Sequence, residues 1–425
     1  MKKALIITYY WPPAGGSGVQ RWLKFVKYFR EFGVEPVIYT VKDPNYPIED
    51  ESLLKEIPED LEILKQSIWE PNRIFNLFKK KKTESAGFLN PTPSISGKIL
   101  RYIRANYFIP DARKFWVQPS VKYLKKYLKK NKIDVVITTG PPHSMHLIGL
   151  NLKNQFGVNW IADFRDPWTE IDYFHQLPLT KRASEKHHLL EKEVLNNANA
   201  VIVVGNTMKE KYYKFNKNTY VITNGFDGEV TNFNIDLDSK FTLTHIGLMN
   251  ADRNPKMLWE VLAEIMNENH TFANDFELKL IGKVDNSVIK EISNFNLTKN
   301  VSIINYISHN EVIKFQKKSQ VLLLIVNNVP SANQIITGKI FEYLMAKRPI
   351  LAIAPTNGDL AEIIHKTNSG YTVDFNERDQ LKKTIVDLYS KFKDDKLIVN
   401  SKNIEQYHRK ELTKKVSEII NSITE

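Results

Sequence analysis

The chain has 425 residues, 42% of them hydrophobic, and a formal net charge of +12. That length exceeds one typical core and predicts two domains, globular throughout. No apolar run approaches the ~20 residues that cross a bilayer, and with no cysteine a disulfide framework, a thiolate metal site and a cysteine nucleophile are all excluded. The run Met1 to Tyr10 lacks a small-residue cleavage site and reads as a first strand rather than a signal peptide. A cytoplasmic location is the expectation.

In chain order, strand signals at Ala4 to Thr8, Pro36 to Thr40, Asp134 to Thr138, Trp160 to Asp163 and Ala200 to Val204 alternate with helical patterns such as Val19 to Phe32 and Leu179 to Asn197. This is the pattern of a parallel sheet covered on both faces, and it assigns residues 1–227 to a first domain with a basic, aromatic insertion at about 70–132. Residues 228–240 are polar and read as a linker. The second domain, residues 241–402, opens on the strand Phe241 to Ile246 and continues with helix Leu258 to Asn267 and strands Glu277 to Ile281 and Val301 to Asn305. A capping box at Ser308 to Glu311, strand Val321 to Val326, a helix from Gly338 and strand Ile350 to Ala354 complete it. The closing amphipathic stretch in residues 403–425 is long enough to return to the first domain. The expected fold is α/β: two Rossmann-like doubly wound domains facing a central cleft.

The charge is unevenly spread. From Lys98 to Lys132 the cations face one acid, Asp111, and Lys79 to Lys82 lie just upstream. Ile74, Phe75, Leu77, Phe78, Tyr102, Ile103, Tyr107, Phe108, Phe115 and Trp116 sit among them. Cations interleaved with aromatics suit an anionic membrane surface, where each contributes about 1 kcal/mol, so peripheral attachment to the inner face of the cell membrane is expected. A solvated helix face from Val121 to Lys132 is equally compatible. No recognised nucleic-acid-binding module is present, and nucleic acid is not an expected partner.

Four loops carry chemistry. After the first strand, Gly15, Gly16, Ser17 and Gly18 form a Gly-rich turn into a helix, which offers backbone amides at a positive helix end to a diphosphate. Arg21 occupies the third-glycine position of the dinucleotide fingerprint and Thr40 ends the second strand where a ribose-binding acid would stand, so a dehydrogenase is not expected. Two further loops follow strands and should line the ligand side of the sheet: Thr139 to His146, with His143 and His146, and Ile161 to Trp168, with Asp163, Arg165 and Asp166. The acids and Arg165 could bind sugar hydroxyls or order one another as an ion pair; each histidine could equally be a loop residue without chemistry. In the second domain, Gly338-Lys339-Ile340-Phe341-Glu342 places a cation and a carboxylate three residues apart on one helical face. An ammonium and a helix N-terminus neutralise phosphate while a carboxylate accepts from a ribose diol. A nucleotide sugar has both groups. Asp236-Leu237-Asp238 lies in the linker, away from any strand-to-helix turn, and His187 and His188 are helix neighbours that point apart, so no metal is expected.

These segments resemble the motifs of retaining glycosyltransferases of family 4, also called glycosyl transferases group 1, which have the GT-B fold. The resemblance spans nearly the whole chain, with Asn224-Gly225-Phe226-Asp227, Arg253-Asn254-Pro255 and Gly338 to Glu342 at their expected spacings. It implies transfer of a sugar from a nucleoside-diphosphate sugar to a glycan or lipid-linked acceptor with retention of configuration, in cell-surface polysaccharide biosynthesis. A nucleotide-sugar epimerase of the same fold and a non-catalytic carbohydrate-binding descendant are the alternatives. By resemblance, Arg253, Lys339, Asp166 and His143 are catalytic. Gly15, Gly16, Ser17, Gly18, Gly247, Tyr306, Ile307, Gln334, Gly338 and Glu342 bind the donor, and Asp163, Arg165 and His146 face the acceptor. The nucleotide sugar is a co-substrate, and no cofactor or metal is implied. The chain departs from the family pattern at three points: Arg165 replaces the histidine of a His-Asp step, Leu248 replaces an arginine while Arg253 falls where a lysine would, and Gln334 replaces the carboxylate eight residues before Glu342.

Overall fold

The computed structural model describes residues 1–70, 95–171, 174–228, 236–305, 307 and 309–425. Ile74, Phe75, Leu77, Phe78, Lys79 to Lys82, Tyr306 and Ser308, all named above, lie outside the described residues. The chain divides into two compact units: Met1–Asp227 with Tyr407–Glu425, and Gly228–Gln406.

The first unit is built on a seven-stranded sheet ordered β3-β2-β1-β4-β5-β6-β7. Its strands are β1 (Lys2–Ile7), β2 (Val34–Lys42), β3 (Glu62–Ser67), β4 (Val135–Gly140), β5 (Trp160–Phe164), β6 (Ala200–Val203) and β7 (Thr219–Val221). Every pairing is parallel, and the central strands are buried on both faces, which is why they read as continuous apolar runs. Strand order reverses between β1 and β4, so the loops leaving those strands meet at the switch point where open α/β sheets bind ligands. The edge strands β3 and β7 were not expected from the sequence. β3 alternates exposed and half-buried positions and β7 has three residues, which leaves little apolar signal.

The first helix, Ser17–Phe29, buries Trp22, Phe25 and Phe29 in the same core as Leu412, Val416, Ile419 and Ile420 of the last helix, Arg409–Thr424. Where the chain returns, Phe226 N–H donates to Tyr407 O at 3.1 Å and Arg409 N–H to Phe226 O at 2.8 Å. Gly225 is required there: a Cβ on it would lie 2.1 Å from the Tyr407 carbonyl oxygen. Trp116, read above as part of a docking face, is instead fully buried and stacks on Tyr39 at 5.1 Å between ring centres.

The second unit has a six-stranded parallel sheet ordered β10-β9-β8-β11-β12-β13. The strands are β8 (Phe241–Ile246), β9 (Phe276–Ile281), β10 (Val301–Ile304), β11 (Val321–Ile325), β12 (Ile350–Ile353) and β13 (Gly370–Val373). Its switch point lies between β8 and β11, and the loops that follow these two strands carry Gly247 to Pro255 and Val326 to Gly338. The linker's Asp-x-Asp has a structural use at Asp238, which accepts from Thr242 Oγ1 and pairs with Lys279 at 2.8 Å.

Candidate active site

In the second unit the geometry centres on Lys339, the first residue of the helix Lys339–Ala346. Its side chain lies across Gly247, where a Cβ would sit 2.3 Å from both Cε and Nζ. Gly247 also has φ +126°, so two constraints fix a glycine at this position. Burial, followed by the nearby charge of Arg253, pushes the Lys339 ammonium down to about 8, against a smaller opposing effect of Glu342. Arg253 spans the switch point: Nε donates to Asn327 Oδ1 at 2.9 Å and Nη1 to Leu248 O at 3.0 Å. The backbone at Leu248 therefore orients the cation of this loop.

One turn into the helix, the Glu342 carboxylate is oriented by Gln316, whose Nε2 donates to Oε2 at 2.9 Å. Thr337 Oγ1, at the helix entrance, is buried and makes no hydrogen bond among the described residues. A Cβ on Gly338 would meet no atom within 4 Å, so open space lies against the helix start. Beneath these groups His245 is buried, with Nδ1 3.2 Å from Leu323 O. Burial, then the Lys339 charge, holds its imidazole neutral and well below its usual range. Gln334 is buried in the short 3₁₀ turn Ala332–Gln334, and Ile307 is half-buried after β10.

The first unit brings its three expected loops together, but with other roles for several side chains. Arg21, noted in the sequence only for not being glycine, is fully buried and pairs with equally buried Asp163 at 2.8 Å. The same guanidinium donates to Ile222 O and Thr223 O, each at 2.9 Å, while Asp163 also accepts from Trp22 Nε1 and Thr139 Oγ1, each at 2.8 Å. The expected acceptor-side role of Asp163 is therefore corrected: its oxygens are spent inside the unit, tying the first helix to β4, β5 and the segment after β7.

His146 is corrected likewise. It is fully buried, stacked on Phe164 at 4.4 Å between ring centres. Thr138 Oγ1 accepts from Trp160 Nε1 at 2.9 Å and lies 2.9 Å from His146 Nδ1. Burial lowers this histidine to about 3, so its imidazole is neutral. His143, also buried, is stacked on Trp168 at 4.9 Å between ring centres, and its Nδ1 has no hydrogen-bond partner among the described residues. Burial first, then His146 and Arg165, hold it well below its usual range, so it is present as a neutral imidazole. Both orphan nitrogens crowd Gly140, where a Cβ would lie 2.6 Å from His146 Nε2 and 2.9 Å from His143 Nδ1.

Arg165 is a strap between loops: Nη1 donates to Gly18 O at 2.8 Å, Nη2 to Pro141 O at 3.3 Å, and Nε lies 3.6 Å from the half-exposed Asp166. The glycines divide the work. Gly15 packs on the loop at Ile48, Gly18 lies beneath Arg165, and Gly16, at φ +85° with nothing within 4 Å of a Cβ, faces open space at the start of the Ser17–Phe29 helix. Gly15 and Gly18 thus each have a packing role. Sequence reasoning also missed Glu191, which fixes the loop after β5 by accepting from Thr169 Oγ1 and from Tyr212 OH at 2.6 Å; a buried acid in mid-helix leaves no motif.

Among the described residues no group of three or more His, Cys, Asp or Glu could hold a metal ion. A family model described as Glycosyltransferase Family 4 matches residues 16–230, and one described as Glycosyl transferases group 1 matches residues 240–391. The chain belongs to the GT-B glycosyltransferases. Solved structures with the same fold include Staphylococcus aureus TarM, crystallised as a mutant with Fondaparinux, alpha-GlcNAc-glycerol and UDP, at 14% identity and TM-score 0.60 over 99% of this chain and 100% of that one. A sucrose-phosphate synthase from Thermosynechococcus elongatus is similar at 16% identity and TM-score 0.56, over 100% of this chain and 95% of that one. A UDP-GlcNAc 2-epimerase from Methanocaldococcus jannaschii is similar at 13% identity and TM-score 0.53, over 99% and 100%. No curated protein matches in sequence.

Removing the Asp163 carboxylate strands the Arg21 charge in the interior. Asp163→Ala should lower the stability of the first unit by about 3–5 kcal/mol in urea denaturation. A loss below ~1 kcal/mol, the scale of an exposed pair, would return Asp163 to a surface role.

Proposed function

We propose that the chain is a retaining glycosyltransferase, of the family 4 type, that moves a sugar from a nucleoside-diphosphate sugar to a glycan or lipid-linked acceptor in cell-surface polysaccharide biosynthesis. The observation that carries this reading is Lys339 lodged over Gly247 beside Arg253 at the switch point of the second unit, with Glu342 one turn further on. Two cations brought together out of water lower the affinity of the ammonium for its proton; a diphosphate restores it and is held in return. Glu342, oriented by Gln316, suits the ribose diol, and the open face of Gly338 admits the phosphates against the helix start.

In transfer, the bond from the sugar's anomeric carbon to phosphate breaks, a bond to the acceptor oxygen forms, and the acceptor's proton leaves with the departing phosphate. Lys339 and Arg253 stabilise the charge that builds on the nucleoside diphosphate, which metal ions supply in other transferases. On the acceptor-side unit we assign the hydrogen bonds to sugar hydroxyls to Asp166 and neutral His143, which contact Arg165 and Trp168. An epimerase is the second reading, favoured by the likeness in fold to 2-epimerases; the match of both halves to glycosyltransferase models weighs against it.

Calorimetry with free nucleoside diphosphates tests the donor site. Lys339→Ala and Glu342→Ala should each weaken binding by about 1–3 kcal/mol, the worth of a charge-assisted hydrogen bond; unchanged affinity in both, with the fold intact, would remove the assignment. Because the free ammonium titrates at about 8, wild-type affinity should fall as pH rises from 8 to 9.5, approaching tenfold per unit. Lys339→Ala should flatten that profile, and an unaltered profile would contradict it. Turnover should survive EDTA; its loss and recovery with magnesium would overturn the metal-free mechanism.

A further inference from the structure

The helix Ile95–Tyr107 of the first unit is attached to the segment at residues 176–180 through two of its polar side chains, Arg101 and Asn106. Arg101 Nη2 donates to Gln176 O at 3.0 Å, Asn106 Nδ2 donates to Pro178 O at 2.8 Å, and Asn106 Oδ1 accepts from Thr180 N–H at 2.7 Å. The small Ala105 is buried on that side. Ile99, Tyr102 and Ile103, spaced i, i+3, i+4, point to solvent with Tyr107 at the helix end, which is 66% exposed. A helix in water ordinarily does the reverse.

The apolar surface continues beyond the helix. Trp69, 55% exposed, packs edge-on against Phe115 at 4.7 Å between ring centres, and Phe115 against Phe108 at 5.9 Å. The charges around it are mostly cations. Lys98 and Arg104 are exposed on the helix, which contains no acid, and Lys114 Nζ lies over the rings of Phe108 and Phe115. The neighbouring helix Lys181–Asn197 adds Lys186, whose charge helps lower the Lys114 ammonium after burial. The acids nearby are engaged: Asp111 accepts from Ser144 and the Arg113 backbone, and Glu185 lies 4.0 Å from Lys181.

We infer that this outward-facing helix, with Trp69, Phe115 and the surrounding cations, is a docking surface for an anionic lipid bilayer. A protein partner would need an acidic rim to match these cations. A bilayer surface supplies anionic headgroups at the depth of Lys98, Arg104 and Lys114, and an interface that accepts Trp and Tyr, whose rings are apolar with a polar edge. The inference is independent of what the second unit binds.

Sedimentation of the full chain with phosphatidylglycerol–phosphatidylcholine vesicles tests it. The protein should bind at low salt, bind at least tenfold less tightly to pure phosphatidylcholine, and dissociate as ionic strength rises. Ile99→Ser with Ile103→Ser should abolish binding at all salt concentrations, and Lys98→Ser with Arg104→Ser should remove the salt-sensitive part. Nucleoside-diphosphate affinity and the thermal melt serve as the check that both variants fold. No binding of the wild-type chain to anionic vesicles would overturn the inference. So would a concentration-dependent dimer in analytical ultracentrifugation that Ile99→Ser with Ile103→Ser abolishes, because the face would then serve a second copy of the chain.

Discussion

The structure places one ammonium where it is poorly hydrated and close to a second cation. Lys339 can lie across Gly247 only because that residue has no Cβ, and the position costs the ammonium much of its affinity for a proton, bringing it to about 8. His245 beneath it is forced neutral by burial and by the same charge. Such an arrangement spends folding free energy to hold a local field that an anion relieves, which is the logic of a preorganised electrostatic site. Glu342 moderates the field without cancelling it, and Gln316 orients that carboxylate. The chemistry proposed for the second unit follows from this constraint.

The first unit solves a different problem: holding three loops at a sheet edge. Arg21 and Asp163 form a buried pair whose remaining hydrogen-bonding groups are satisfied by Trp22, Thr139 and the carbonyls of Ile222 and Thr223. A buried pair is stabilising only when completed in this way. Around it, Arg165 bridges Gly18 and Pro141, and Glu191 holds the loop after β5 through Thr169 and Tyr212. His143 and Asp166 are in turn held by Trp168 and Arg165.

The doubly wound fold was legible because its central strands are continuous apolar runs; Phe241–Ile246 has the same bounds in sequence and structure. The edge strands Glu62–Ser67, Thr219–Val221 and Gly370–Val373 were missed, being short or half-exposed and lacking that signal. At the candidate site, Lys339 and Glu342 were singled out from their spacing and Gly247 from the family resemblance, yet neither could say that Asp163 and His146 point into the core or that Arg21 is the partner of Asp163. Those are long-range pairings between elements far apart in the chain. Nor could the sequence show that Gly15 and Gly18 are each required by a packing neighbour, Ile48 and Arg165. A basic, aromatic composition pointed to a surface, but only the burial of Trp116 and the exposure of Tyr107 divide core from face.

The central claim is that the field at Lys339 serves the departure of a nucleoside diphosphate from a sugar that keeps its configuration. Proton NMR of a nucleoside-diphosphate sugar panel incubated with the protein, with and without glycan acceptors, follows the anomeric signal directly. The account predicts release of free nucleoside diphosphate together with a product whose anomeric configuration matches the donor's. A product of inverted configuration, or a sugar epimerised while still joined to its nucleotide, would contradict it.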